Sequence, residues 1–369
     1  MIIGLPKEIK NNEYRVGLTP ESVKELTNDG HNVFVQSDAG RNIGFQDSDY
    51  LEHGAEILSS AEEVYINSEL IVKVKEPIEE EFAFLRDDLT LFSYLHLAGN
   101  SEIAKKIINT GVTGIAYETV TNEKGELPLL APMSSIAGQI SIVVGSYNLL
   151  KHNNGKGVLL GSFDNLNARV VTVIGGGVAG TQAISKAIAN KAFVNVVDLS
   201  EDRLSALRDM FGTNNIKYIK SSPNLIRQSI RDSDLIVGAV YVIGKEAPQV
   251  ITRNMIEEIS PGTVMVDISI DQGGCFETCR ETTHQKPVYL IDGKVHYCVT
   301  NIPGAVPMTS TNALNNATLS YIQLIADLGW EKACKKNQAL NKGLNMHDGK
   351  IVYKAVAETF GYKYFENNF

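Results

Sequence analysis

The chain has 369 residues and a net charge of −9, and 43% of its residues are hydrophobic while 21% are charged. This length exceeds one ordinary hydrophobic core, so we expect two domains of a soluble protein. The acidic balance and the scattered basic residues argue against a nucleic-acid partner. No apolar run reaches the ~20 residues that span a bilayer, and the N-terminus lacks the signal-peptide pattern. We therefore expect a cytoplasmic protein without a membrane partner.

Cysteine is rare for a chain of this length. The four cysteines are Cys275, Cys279, Cys298 and Cys334. The first two are spaced closely enough to share a metal, but no second Cys or His pair follows at the spacing of a zinc site. We expect reduced structural thiols, typical of the cytoplasm, and no metal site.

The first 130 residues alternate between strand and helix patterns. Strands are predicted at residues 2–5, 31–36, 70–74, 89–95 and 112–117. Helices are predicted at 61–67 and 101–109, and Thr19-Pro20-Glu21 has the N-cap, proline and acid of a helix start. This alternation predicts a parallel, doubly wound sheet. No glycine-rich phosphate loop accompanies it.

A strand–helix–strand pattern begins near the middle of the chain. A buried strand is predicted over 170–174, a helix over 178–189, and a second strand over 193–197 that leads into Asp198. This is the βαβ arrangement that carries a dinucleotide in Rossmann domains. Further strands of the same sheet are predicted at residues 215–219, 234–240 and 263–268.

Three glycines in the first turn of that unit have the spacing G-x-G-x-x-G. Gly175 permits the tight turn, Gly177 lets the backbone approach a pyrophosphate, and Gly180 lets the helix pack closely on the strand. Asp198 has the spacing of a carboxylate that accepts hydrogen bonds from the adenosine ribose. Its charge would repel a 2′-phosphate and favours NAD over NADP, although Arg203 could accommodate that phosphate.

Two further helices frame the dinucleotide unit. An apolar helix is predicted over 135–150, and a long helix over 311–336. The C-terminal part has no nucleotide signature, and a helix pair cannot bury its apolar face alone. We therefore expect this part to return and pack on the first domain.

Charged residues occur where the first sheet should be apolar. Lys73 and Lys75 alternate in LIVKVKEP and would share one strand face, and His96 ends the next predicted strand. Because the carboxyl ends of parallel strands line the ligand crevice, Lys75 and His96 could converge on one small molecule. The alternative is a lysine whose amine reaches solvent and a hydrogen-bonded core histidine.

A second polar cluster follows the strand predicted over 263–268. Asp271 in VDISIDQGG lies at or just past a strand end, and it is either a functional acid or a turn aspartate. Asn301 lies where the chain leaves the nucleotide unit and could bond a carboxamide.

Several pieces of the sequence together resemble the alanine dehydrogenase family. In order, they are GLPKEIKNNEYRVGLTP, VKVKEP, YLHLA, IAYETV, IGGGVAGT, VDISIDQGG and NIPGAVP. The chain is less closely similar to the NAD-binding subunit of proton-pumping transhydrogenases and to saccharopine and lysine dehydrogenases. The resemblance implies an α/β fold of two doubly wound Rossmann-like domains. Residues 133–305 would form an NAD-binding domain inserted into a substrate domain of residues 1–132 and 306–369.

The resemblance also implies an activity and residue roles. The activity is reversible NAD-dependent oxidative deamination of L-alanine to pyruvate and ammonium, in a homohexamer. Arg15 would bind the substrate carboxylate, and Lys75 a carbonyl or carboxylate oxygen. His96 and Asp271 would exchange protons, and the sequence leaves open which is the principal base. The cofactor-binding residues implied are Ser134, Gly175, Gly177, Val178, Ala179, Gly180, Asp198, Arg203, Ser221, Val240, Tyr241, Ile268, Ser269, Ile270, Asp271, Arg280, Val299, Thr300, Asn301 and Ile302.

Two other functions stay open at this point. A transhydrogenase-type subunit would bind NAD(H) and pass hydride to a second nucleotide, and a sensor would bind NAD without reaction. The transhydrogenase relatives lack the lysine-then-histidine pair. The joint presence of Arg15, Lys75, His96 and Asp271 favours an enzyme over a sensor.

Overall fold

The computed structural model describes residues 1–97, 101–242 and 246–366. The chain divides into two compact units: residues 1–133 with 306–369, and residues 134–305. The second unit is thus inserted into the sequence of the first. Within the described ranges, no helix combines the length and the apolar character needed to cross a membrane.

Fifteen strands are assigned in the described residues. In chain order they are β1 (Ile2–Leu5), β2 (Asn32–Gln36), β3 (Glu56–Leu58), β4 (Leu70–Val72), β5 (Thr90–Ser93), β6 (Thr113–Ala116), β7 (Val170–Ile174), β8 (Phe193–Asp198), β9 (Ile216–Lys220), β10 (Leu235–Gly238), β11 (Val264–Asp267), β12 (Val288–Ile291), β13 (Lys294–Tyr297), β14 (Leu344–His347) and β15 (Lys350–Ile351).

The α-helices of the described residues pack between and around these strands. They are α1 (Pro20–Asn28), α2 (Asp47–Glu52), α3 (Ala61–Asn67), α4 (Ser101–Asn109), α5 (Ala131–Asn148), α6 (Val178–Ala189), α7 (Glu201–Phe211), α8 (Pro223–Arg231), α9 (Arg253–Glu257), α10 (Pro307–Leu328), α11 (Trp330–Lys336), α12 (Gln338–Gly343) and α13 (Lys354–Phe360).

The first unit is built on a sheet of order β15-β14-β6-β5-β4-β1-β2-β3. The strands β1 to β6 run parallel, in the doubly wound order of a Rossmann fold. The C-terminal segment adds β14 and β15 as antiparallel strands beside β6. Strands β4 and β5 are buried along their whole length, as expected of a parallel sheet covered on both faces.

The second unit has a sheet of order β12-β13-β11-β10-β7-β8-β9. Six of its strands, β7 to β11 and β13, run parallel in the same doubly wound order. Strand β12 forms an antiparallel hairpin with β13. The predicted α/β class with two doubly wound, Rossmann-like sheets is therefore confirmed.

Local side-chain signals explain where several helices begin. Thr19 caps α1 by accepting a hydrogen bond from the Ser22 backbone N–H at 3.1 Å, and Pro20 occupies the first turn, where no N–H is required. Ser60 and Glu63 form a capping box at the start of α3. These signals are local, so the sequence predicted both helices correctly.

Two predicted strands end earlier than expected. The strand predicted over 70–74 stops at Val72, and the strand predicted over 89–95 stops at Ser93. Lys73 and Lys75 therefore do not alternate on a strand face, and His96 lies in the loop beyond β5 rather than at the strand end. The long helix predicted over 311–336 is also wrong, because α10 ends at Leu328 and α11 begins at Trp330. Gly329 separates them with a φ of 76°, which favours glycine.

Candidate active site

Arg15 lies in the loop between β1 and α1 and is only 2% exposed. Glu13 holds it in a two-pronged ion pair, in which Nε donates to Oε1 at 2.7 Å and Nη2 to Oε2 at 2.5 Å. Burial raises the pKa of Glu13, but the charge and hydrogen bonds of Arg15 outweigh burial and lower that pKa to about 2. Nη1 lies 3.2 Å from the Met133 Sδ. A thioether is a weak hydrogen-bond acceptor. A ligand carboxylate at this edge of the guanidinium would accept a stronger hydrogen bond from Nη1 than the thioether does.

Lys73 belongs to a buried cluster of charged groups. Its Nζ pairs with Glu81 and lies 3.5 Å from Glu8 Oε2, and the Tyr65 hydroxyl donates to Glu81 Oε1 at 2.9 Å. Lys73 is 1% exposed and Lys75 is 9% exposed. The alternative of an amine that reaches solvent is therefore wrong for Lys73, which is a structural group.

Lys75 follows β4, and its backbone is held by a carboxylate. Glu8 Oε1 accepts hydrogen bonds from the backbone N–H groups of Val74 at 2.6 Å and of Lys75 at 3.2 Å. Burial raises the pKa of Glu13, while the positive charges of Arg15 and Lys75 lower it. The ammonium group therefore lies in the same charged environment as the Arg15 pair.

His96 contacts Glu76 beyond the end of β5. Its Nδ1 lies 3.3 Å from Glu76 Oε2, and Glu76 also pairs with Lys10. Burial raises the pKa of Glu76, but the hydrogen bond and charge of His96, with Lys75 and Lys10, lower it well below its usual range. Because an ionised carboxylate only accepts hydrogen bonds, Nδ1 carries the hydrogen in this contact, and Nε2 is the nitrogen that faces away from Glu76 in the bonding pattern.

Three neighbouring parallel strands deliver these side chains to one edge of the sheet. Strands β1, β4 and β5 are adjacent, and their carboxyl ends lead to Arg15, Lys75 and His96. Strand ends of this kind form the ligand crevice of open α/β sheets. The His96 side chain is 39% exposed, whereas Arg15 is buried.

The carboxylates that hold these side chains were not predicted from the sequence. They are Glu8, Glu13 and Glu76. A signal was present, because Glu8 and Glu76 each follow a predicted strand and Glu13 stands two positions before Arg15. Of the three, Glu13 alone lies beside its partner in the sequence, whereas Glu8 and Glu76 meet theirs through contacts between separate parts of the chain.

The glycine turn of the second unit has the geometry that its sequence predicts. Gly175 has a φ of 98°, and a Cβ at Gly180 would overlap the Gly175 carbonyl oxygen. A Cβ at Gly177 would meet open space, where a ligand can approach the backbone. As the N-cap of α6, Gly177 has no side chain to occupy the first N–H groups of the helix. This turn fits the pyrophosphate of a dinucleotide.

Asp198 and Arg203 hold the middle of this turn from two sides. Asp198 Oδ2 accepts a hydrogen bond from the Gly176 N–H at 2.6 Å, and Arg203 Nε donates to the Gly176 carbonyl oxygen at 2.6 Å. Arg203 Nη2 also donates to Thr181 Oγ1 at 2.5 Å. The guanidinium is thus engaged with the turn, and Asp198 retains further lone pairs for a ribose hydroxyl.

Asp271 lies in the short 3₁₀ turn Ile268–Gln272 that follows β11. Its Oδ1 accepts a long hydrogen bond, 3.4 Å, from the Asn301 backbone N–H, so two predicted site residues lie together. Asp267 is different, because it is buried and accepts hydrogen bonds from three backbone N–H groups that follow it. Asp267 organises the turn, and Asp271 is its exposed carboxylate.

Most remaining predicted cofactor residues lie beyond strand ends of the second sheet. They are Ser221 after β9, Val240 and Tyr241 after β10, Ile268, Ser269, Ile270 and Arg280 after β11, and Val299, Thr300 and Ile302 after β13, with Ser134 on α5. All four cysteines are free thiols. Among the residues that the structure describes, no cluster of three or more His, Cys, Asp or Glu side chains could hold a metal ion.

Models of known protein families match the sequence of both units. The family model described as alanine dehydrogenase/PNT, N-terminal domain, matches residues 4–137, and the C-terminal domain model matches residues 141–354. The chain belongs to the alanine dehydrogenase/PNT family. The resemblance seen in the motifs is thereby confirmed for the family as a whole.

Individual members of the alanine dehydrogenase/PNT family are similar over nearly the whole chain. Identity is 48% to the alanine dehydrogenase of Halomonas elongata, over 99% of this chain and 98% of that protein. It is 46% to that of Mycolicibacterium smegmatis, over 97% and 96%. A solved L-alanine dehydrogenase covers 98% of this chain and 99% of its own, with a TM-score of 0.93 and 43% identity. A transhydrogenase from Sinorhizobium meliloti, at a TM-score of 0.79 and 22% identity over 96% and 100%, shows likeness of fold alone.

Proposed function

We propose that this protein catalyses the reversible conversion of L-alanine, NAD⁺ and water into pyruvate, ammonium, NADH and a proton. The observation that carries the proposal is the edge of the first sheet, where Arg15, Lys75 and His96 are each held by a carboxylate. Deamination of an amino acid needs a carboxylate-binding group, a cation near the developing oxygen and a proton-exchanging group. The substrate comes from the relatives, which are named alanine dehydrogenase.

Arg15 would bind the substrate carboxylate through the edge that faces Met133. Its ion pair with Glu13 fixes the guanidinium plane, so little conformational freedom is lost when the substrate binds. A carboxylate held by two parallel hydrogen bonds also has a fixed orientation. This orientation determines which face of the α-carbon is presented for reaction.

Lys75 would stabilise the oxygen atom that develops negative charge when water adds to the iminium form of the substrate. A buried ammonium interacts more strongly with such a charge than an exposed one, because water screens it less. Glu8 fixes the backbone of Lys75, so the ammonium is positioned before the charge develops. Lys75 would also bond the carbonyl oxygen of pyruvate in the reverse reaction.

His96 would exchange protons with the water and the amine through Nε2. Glu76 fixes the tautomer by accepting from Nδ1, and a histidine can take and return a proton near neutral pH. This pairing favours His96 as the principal base. We assign Asp271 to a supporting acid–base role.

The second unit would hold NAD. The N–H groups at the start of α6 would bind the pyrophosphate, Asp198 the adenosine ribose, and residues beyond β10, β11 and β13 the remainder of the dinucleotide. The chemistry that bound NAD⁺ would supply is acceptance of a hydride from the α-carbon of alanine. The domain roles follow: a substrate domain of residues 1–132 and 306–369, and an NAD-binding domain of residues 133–305.

NAD should be preferred over NADP. Arg203 is bonded to Gly176 and Thr181, so binding a 2′-phosphate would require it to leave the turn that it supports. Asp198 would add repulsion to the same phosphate. Both residues therefore favour the cofactor without that group.

One assay separates this proposal from the two alternatives. Purified protein with L-alanine and NAD⁺ should form NADH, measured by absorbance, with pyruvate and ammonium in equal amounts. A transhydrogenase-type subunit would form NADH only from a second nucleotide, and a sensor would form none. The cytoplasmic location and the homohexamer remain predictions, and light scattering of the purified protein measures the latter.

A further inference from the structure

The Glu118 side chain accepts hydrogen bonds from the backbone at His96 and at the residue before it. It lies in the short turn Tyr117–Thr119, after β6, and β6 is the sheet neighbour of β5. Glu118 Oε1 accepts hydrogen bonds from the backbone N–H of His96 at 2.6 Å and of Leu95 at 3.2 Å. Oε2 lies 3.3 Å from the same Leu95 nitrogen. One carboxylate thus satisfies two consecutive amides beyond the end of β5.

These amides belong to a segment whose conformation needs an outside support. The φ of His96 is 47°, in the left-handed region that side chains of L-residues disfavour. Histidine enters this region more readily than most residues, yet such a conformation persists only where its surroundings fix it. Strand β5 ends at Ser93, so its regular ladder does not set the backbone of His96.

The direction of the His96 ring depends on this backbone. A change of φ to the ordinary negative range would swing the Cα–Cβ bond and carry Nδ1 away from Glu76. Hydrogen bonds to an ionised acceptor are stronger than neutral ones. Glu118 therefore fixes the backbone of His96, while Glu76 fixes the ring.

We infer that Glu118 is a positioning residue of the proposed reaction, acting through the left-handed backbone of His96. The inference rests on the proposed proton-exchanging role of His96. Glu118 itself needs no contact with substrate or cofactor, and nothing in the family resemblance assigned it a role.

The first test replaces the carboxylate. Glu118→Ala should lower kcat roughly 10²-fold, the scale of a displaced catalytic group, and leave the KM for NAD unchanged. Glu118→Gln should recover most of this loss, because its single carbonyl oxygen can occupy the place of Oε1, which accepts from both amides. NAD binding by each variant shows that the protein has folded.

The matched control is Glu69→Ala. Glu69 Oε2 accepts a hydrogen bond from the Ile2 backbone N–H at 2.7 Å, so this carboxylate also supports a backbone amide of the first unit. It directly precedes β4 and therefore lies at the opposite, amino end of the same sheet. Glu69→Ala should leave kcat unchanged.

A double-mutant cycle separates positioning from general structure. In a His96→Ala background, Glu118→Ala should cost less than about twofold in kcat, since residues that act as a unit are not additive. An equal loss in both backgrounds would overturn the inference, because Glu118 would then act independently of His96. Full activity of Glu118→Ala beside an impaired His96→Ala would refute the positioning role and leave the proposed function intact. Full activity of His96→Ala would overturn both.

Discussion

The two units share the order of their six parallel strands, and they place different chemical groups at the same edge of the sheet. In each, six parallel strands run in the doubly wound order, so each has a crevice beyond its central strand ends. The second unit presents backbone N–H groups there, because a glycine turn follows β7. The first unit presents buried charged side chains. The topology therefore supplies the location of a site, and the residues just beyond the strands decide what it binds.

The turns after the first strand of each unit show the difference most clearly. After β7, Gly175 turns with a φ of 98° and Gly177 leaves open space for an anion. After β1, the buried Glu8 carboxylate accepts the N–H groups of Val74 and Lys75. An anion built into the protein already occupies these donors, so they offer no place to a phosphate.

We expect the largest effect from His96→Ala, which tests whether the first unit supplies the proton-exchanging group. His96→Ala should lower kcat by roughly 10²- to 10⁴-fold, the usual scale of general acid–base catalysis, while NAD affinity stays unchanged. The acidic limb of the pH–rate profile should also disappear. His152→Ala, at an exposed position of the second unit, is the control. Near-normal turnover with an unaltered pH profile would move the proton exchange to Asp271.

Lys73→Met tests the structural lysine of the first unit, in contrast to its neighbour Lys75, for which we propose a role in the reaction. Removal of one member of a buried ion pair leaves Glu8 and Glu81 uncompensated, so the free energy of unfolding should fall by about 3–5 kcal/mol. Denaturant titration measures this change. Lys106→Met breaks an exposed pair with Glu79 and should cost less than about 1 kcal/mol. Equal losses of the free energy of unfolding from the two substitutions would show that the buried cluster around Lys73 is no more important for stability than an exposed ion pair.

Arg15→Lys tests the two-pronged grip on the substrate. Lysine keeps the charge but loses the planar fork, and a lost charged hydrogen bond of ~1.5–3 kcal/mol corresponds to a roughly 10- to 100-fold higher KM for alanine and pyruvate. The KM for NAD should not change, because the effect is confined to the first unit. Steady-state kinetics in both directions gives these values. A parallel rise in the KM for NAD would indicate a structural arginine.

Asp198→Ala tests the second unit and should have the smallest effect. NAD binding should weaken roughly tenfold, as expected for lost hydrogen bonds to a charged group, and NADP should be rejected less strongly. Titration of cofactor binding by fluorescence measures both, and Asp209→Ala, an exposed acid on α7, is the control. If affinity and cofactor preference both stay the same, Asp198 does not contact the ribose.

The sequence by itself determined the local features of this protein. The β7–α6–β8 unit was predicted to within one residue, and α3 and α6 at their observed bounds, because apolar periodicity, glycine spacing and helix caps act over a few neighbouring residues. The same local signals identified Asp198 as a candidate for the ribose. The alternation of elements also sufficed for the fold class, since short βα connections allow few topologies.

Only the tertiary structure decided the role of each charge in the first unit. Lys73 and Lys75 stand two positions apart in one motif, yet Lys73 pairs with Glu8 and Glu81 while Lys75 lies in the environment of Glu13. Glu8 and Glu13 come from a distant part of the chain, whereas Glu81 follows Lys73 by eight positions. Glu118 reaches His96 from beyond the next strand of the sheet. Burial between parallel strands makes each unpaired charge costly, so the partner that the fold brings near determines whether a charge is structural or available for chemistry. Sequence spacing carries no record of that partner.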